Sequence, residues 1–92
     1  MTEKEIMLSA VMAFGFKSQK EMAKEECAEL IDALCKEVRG RASEEEVITE
    51  IADVMIMMEQ LALIYGTDRV AVEKARKLDR LEHRLREFIE SL

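Results

Sequence analysis

The sequence predicts an all-α chain, a four-helix bundle-like domain, and three observations predict it. Proline is absent and only three glycines occur in 92 residues, so the residues that most readily interrupt a helix are scarce. The apolar content is mostly Leu, Ile, Val, Ala and Met, with three Phe, one Tyr and no Trp, short of the aromatics that enrich sheets. Between the glycines the apolar residues recur at three-and-four spacing, the period of a helix that buries one face. The length fits one domain, 1–92, and no second one.

Each element has its own punctuation. Three segments open on a hydroxyl with a glutamate three residues later: Thr2 with Glu5, Ser18 with Glu21, and Ser43 with Glu46. In that arrangement the two side chains satisfy free backbone donors of a first helical turn. Gly15, Gly40 and Gly66 follow apolar runs as stop signals. Thr67 or Asp68 can cap a further helix. The expected helices therefore cover 3–14, 19–39, 44–65 and 68–91.

The second of these carries one apolar stripe (Ala23, Cys27, Leu30, Ile31, Leu34, Cys35, Val38) and the fourth another (Ala71, Ala75, Leu78, Leu81, Leu85, Phe88, Ile89, Leu92). Both are expected to face a core. The third is apolar almost all round. From Val47 to Ile64 only Thr49, Glu50, Asp53, Glu59 and Gln60 are polar. Such a helix is expected at the centre, with a partner subunit over its remaining faces. A helical monomer of this size buries only about two-thirds of the surface its unfolded chain exposes. A homodimer or homotetramer is the expected remedy.

Charge narrows the function. The net charge is −6, which argues against a nucleic-acid binder, since that needs a basic face to displace counterions. Residues 1–66 hold 7 Lys/Arg against 14 Asp/Glu, whereas residues 67–92 hold 7 against 6. An acidic protein that handles an anionic substrate needs a metal between the two. Neither a signal-peptide pattern nor an apolar run of about 18 residues is present, so a cytoplasmic protein without membrane attachment is expected. Cys27 and Cys35, eight residues apart on one expected helix, lie roughly 12 Å apart along it, too far for an intrachain bridge. Both are expected to be reduced core residues. The Met55, Met57 and Met58 cluster reads as packing.

Glu50 and Asp53 stand in the most apolar stretch of the chain, and a buried carboxylate is costly unless paired, protonated or metal-bound. At i and i+3 they project from one side of their helix. Glu26 and Glu29 form a matching pair on the preceding helix. At about 100° per residue, Glu26 and Glu50 both sit near −100° from their own apolar stripes, and Glu29 and Asp53 both near −160°. An antiparallel hairpin across the loop at Gly40 to Ala42 then brings both pairs to the same side. They also lie at similar height, about 12 residues from the loop along each helix. Four oxygen donors without His or Cys suit Mg²⁺ or Mn²⁺. A plain solvated acidic face is the alternative reading of the same residues.

These motifs resemble the MazG-like all-α nucleoside triphosphate pyrophosphohydrolases, whose hallmark is Glu-x-x-Glu on one helix and Glu-x-x-Asp on the next. Here they read Glu26-Cys-Ala-Glu29 and Glu50-Ile-Ala-Asp53, with twenty residues between. Gly15 followed by Gln19 is similar to the Gly-x-x-x-Gln lead-in of many members. The likeness runs from about residue 8 to residue 85. One departure lies in the last helix, where many members carry Lys, Asn and Arg. This chain has Lys77, Leu81 and Arg84, and the missing Asn bears on substrate selection.

The resemblance implies Mg²⁺-dependent hydrolysis between the α and β phosphates of a nucleoside triphosphate, giving a monophosphate and pyrophosphate. Glu26, Glu29, Glu50 and Asp53 would be the metal ligands, with Glu25 a candidate base. Lys77, Arg80 and Arg84 would hold phosphate charge, and Gln19 would contact the base or ribose. A phosphoribosyl-ATP pyrophosphohydrolase with the same chemistry is one alternative. A non-catalytic helical oligomerisation module is the other. A di-iron bundle wants Glu-x-x-His pairs, and the one histidine, His83, follows Asp79 and Arg80 instead.

Overall fold

The structure, a computed structural model, describes all 92 residues. It consists of four helices without a strand: α1 (Glu3–Phe14), α2 (Phe16–Val38), α3 (Glu44–Tyr65) and α4 (Thr67–Glu90). Two of the expected caps form. The Thr2 hydroxyl accepts from the Glu5 amide at 3.1 Å and the Ser43 hydroxyl from the Glu46 amide at 3.2 Å, each stabilising its helix by about 1 kcal/mol.

The Ser18 cap does not form. Helix α2 begins at Phe16, and Gly15 is its N-cap. The Gly15 amide donates to the Val11 carbonyl, while the Gly15 carbonyl accepts from the Gln19 amide. One residue thus closes α1 and opens α2. Gly66 does the same between α3 and α4, bonding back to Ala62 and forward to Val70, so neither Thr67 nor Asp68 caps α4. Their φ values of 93° and 115° lie where a Cβ is strongly disfavoured, which is why both joints are glycine.

Helix α2 runs antiparallel beside α3 across the turn at residues 39–43, and α3 packs against all three other helices. It is central, as its apolar composition predicts. The buried set is small: Met7 and Val11 of α1, Ala23 and Ala33 of α2, Val47 and Met57 of α3, with Gln19 and Gln60. A large buried apolar side chain stabilises by about 1.5–3 kcal/mol. That is a thin core against the entropy of ordering this chain.

Helix α4 departs from expectation. It touches α3 alone and none of its residues is buried. The stripe through Leu78, Leu81, Leu85, Phe88 and Ile89 faces outward rather than a core. The molecule is correspondingly extended, at 52 × 38 × 23 Å with a radius of gyration of 16.7 Å, where a compact chain of this length has about 12 Å. Cys35 is likewise exposed and Cys27 half-buried, both as free thiols. Neither is a buried core residue. No helix is long and apolar enough to cross a membrane.

Candidate metal centre

The hairpin brings together three of the four carboxylates that the two acidic motifs offer, and Asp53 stands outside that group. Carboxylate oxygens of Glu26, Glu29 and Glu50 lie within 4.8 Å of one another. Asp53, half-buried one turn beyond Glu50, stands near enough to press electrostatically on both Glu26 and Glu50. Glu29 is exposed at the rim, whereas Glu26 and Glu50 are half-buried between the helices.

Nothing in the chain neutralises this group. The ion pairs are Lys24–Glu21, Lys36–Asp32, Arg76–Glu73, His83–Glu87 and Arg86–Glu82, and none includes a cluster carboxylate. One oxygen of Glu26 and one of Glu50 are sealed from solvent without a hydrogen-bond partner. Burial therefore pushes the Glu26 carboxyl above its ordinary pKa, and the charges of Glu29, Asp53 and Glu50 push it further. Glu50 is raised by burial first and by Glu29 and Asp53 next. Such a group can relieve itself by sharing protons or by taking a hard cation, and its all-oxygen donors match Mg²⁺ or Mn²⁺.

The other candidate residues are distributed unevenly. Glu25 is exposed on α2, beside the groove that Phe14 and Lys17 help to line. Lys77, Arg80 and Arg84 are exposed on α4, which makes no contact with α2. A single chain does not bring them to the carboxylates. Gln19, in the first turns of α2, is 6% exposed, and its Nε2 donates to Gln60 Oε1 at 2.7 Å. His83 is exposed, 3.1 Å from Glu87.

Two features escape sequence reasoning. Gln60 is visible in the sequence only as a polar break in an apolar helix, and its partner lies 41 residues away. The second is a groove of about 710 Å³ between α2 and α3, where Lys20, Lys24 and Cys27 meet Met58, Leu61 and Tyr65. The Lys20 ammonium sits 4.6 Å from the centre of the Tyr65 ring. Register between two helices decides both, and no local pattern encodes it. Compared with protein-family models, with curated proteins and with solved structures, the chain finds no match.

Proposed function

We propose that the chain is a cytoplasmic, homo-oligomeric, Mg²⁺-dependent nucleoside triphosphate pyrophosphohydrolase of the MazG-like kind, cleaving between the α and β phosphates. One observation supports the reading: Glu26, Glu29 and Glu50 of the two acidic motifs come together, and an oxygen each of Glu26 and Glu50 is sealed without a partner. A buried unpaired carboxylate oxygen is costly, and a cation offsets that cost directly.

Glu26, Glu29, Glu50 and Asp53 would hold the ion, with Glu29 at the solvent-facing rim. When bound, Mg²⁺ neutralises phosphate charge and acidifies the attacking water. Glu25, exposed and beside Glu26 on α2, is the candidate to take the water's proton. Lys77, Arg80 and Arg84 would stabilise pyrophosphate as it leaves. In this reading they come from a second copy, because their own α4 stands clear of α2. Gln19 is buried with its amide donated to Gln60, so in this reading it braces α2 against α3.

The test is pyrophosphate release from a panel of nucleoside triphosphates with Mg²⁺. Glu50→Gln and Asp53→Asn are each expected to lower turnover by about 10³-fold or more while the helical circular dichroism stays unchanged. Full turnover in either variant defeats the metal-centre reading. A second reading, a non-catalytic oligomerisation module, is favoured by the outward apolar stripe of α4. It expects no change in melting temperature with Mg²⁺, whereas a bound ion raises it.

A further inference from the structure

Between neutral side chains, one hydrogen bond joins α2 to α3, and it is buried. Gln19 Nε2 donates to Gln60 Oε1 at 2.7 Å, while Gln60 Nε2 turns to the Met57 sulfur of its own helix, 3.7 Å away. Every ion pair of the chain closes within a single helix. Lys20 lies over the Tyr65 ring, but Tyr65 is exposed and an ammonium can slide across its face. The other buried side chains of the two helices, Ala23, Ala33, Val47 and Met57, are apolar, and apolar attraction has no preferred direction. The glutamine bond is thus the directional link in the core of the hairpin.

Its position ties it to the carboxylates. Glu26 follows Gln19 by seven residues, and Met57 follows Glu50 by seven. Seven residues make two turns, so the members of each pair share a helix face to within about 20° and lie roughly 10 Å apart along the axis. In the antiparallel hairpin the glutamine bond and the carboxylates therefore stand on one seam, two turns apart. Sliding one helix past the other by a single residue moves its carboxylates by about 1.5 Å. A ligating constellation has to be held within about 0.5 Å. A buried polar residue can specify register in just this way in a coiled coil, at a cost in stability.

We propose that Gln19 and Gln60 are a positioning pair, whose bond sets the register of α2 on α3 and thereby how tightly Glu26, Glu29 and Glu50 hold a divalent cation. The inference rests on the metal-centre reading and adds to it two residues that act only through the placement of the carboxylates.

Mn²⁺ alone, titrated calorimetrically into the full chain, reads cation affinity, and urea denaturation reads stability. The wild-type chain should bind Mn²⁺ and Glu50→Gln should lose it. Gln19→Leu combined with Gln60→Leu should keep the helical circular dichroism and most of the urea midpoint. It should nevertheless bind Mn²⁺ about 10–100-fold more weakly, the usual cost of disturbing the residues behind a metal's ligands. Gln19→Met combined with Gln60→Met fills the same space with a more adaptable side chain, and serves equally if the leucines fail to pack. A wild-type chain that binds no Mn²⁺, or a Glu50→Gln chain that binds it as well, defeats the metal-centre reading, and the inference falls with it. Where those two controls behave, unchanged affinity in a folded double variant overturns the inference alone. So does an affinity lost only in step with the urea midpoint, or loss of helix in both double variants, since either makes the pair a support of the fold and not of the site.

Discussion

Gln19 and Gln60 are the polar members of the buried set, and their 2.7 Å hydrogen bond ties α2 to α3. Gln19→Leu leaves the Gln60 carbonyl buried without its donor, at a cost of about 1–3 kcal/mol. The double Leu variant should recover most of that loss, as read by urea denaturation. The carboxylates obey a different linkage. The Glu26 and Glu50 pKa values are raised in the folded chain, so the native state binds more protons than the unfolded state as pH rises from the ordinary glutamate value to the raised one. Stability without metal should therefore fall across that interval, the reverse of a salt-bridged acid. Glu50→Gln should flatten the dependence, and Mg²⁺ should oppose it. Melting curves from pH 4 to 8, with and without Mg²⁺, check both. The meeting of Glu26 and Glu29 with Glu50 was legible because the two pairs stand at matched offsets on consecutive helices, whereas Asp53 stands outside the group. The Gln pair was not, because a polar residue in an apolar helix does not name its partner.

Helix boundaries were legible where local chemistry sets them. Thr2 and Ser43 cap as their spacing to Glu5 and Glu46 predicts. Ser18 has the same spacing to Glu21 and caps nothing, because Gly15 already opens α2 three residues earlier. A glycine can serve as both stop and start, and the sequence pattern reads it only as a stop. Helix α4 shows the complementary gap: its stripe is plain in the sequence, but what the stripe meets is set by the angle at Gly66. Isolated helices gain little from propensity alone, so packing supplies most of their stability. At a concentration low enough to dissociate the proposed oligomer, backbone amides of α4 should exchange with solvent faster than those of α3, by about 10-fold or more. Hydrogen–deuterium exchange at two protein concentrations measures this, and equal protection at both would show that α4 needs no partner.

At the scale of the molecule, composition indicated an all-helical acidic chain, and the structure is four helices without a strand in an extended arrangement. The division of charge between residues 1–66 and 67–92 corresponds to a physical division, a three-helix body and a projecting arm. The body's own arrangement followed from which helix is apolar all round. The arm's direction did not, since it rests on one residue's backbone angles.

Gly66 alone joins α3 to α4, and antiparallel helix pairs ordinarily need two to five connecting residues. The tether is thus too short for the arm to fold down along its own body, and under the proposed oligomeric reading that shortage of slack leaves the arm to a partner. Adding about four flexible residues after Gly66 should let each arm satisfy its own molecule. The engineered protein should then scatter light as a self-contained monomer, whereas an unchanged mass would mean that tether length is not what keeps the arm extended.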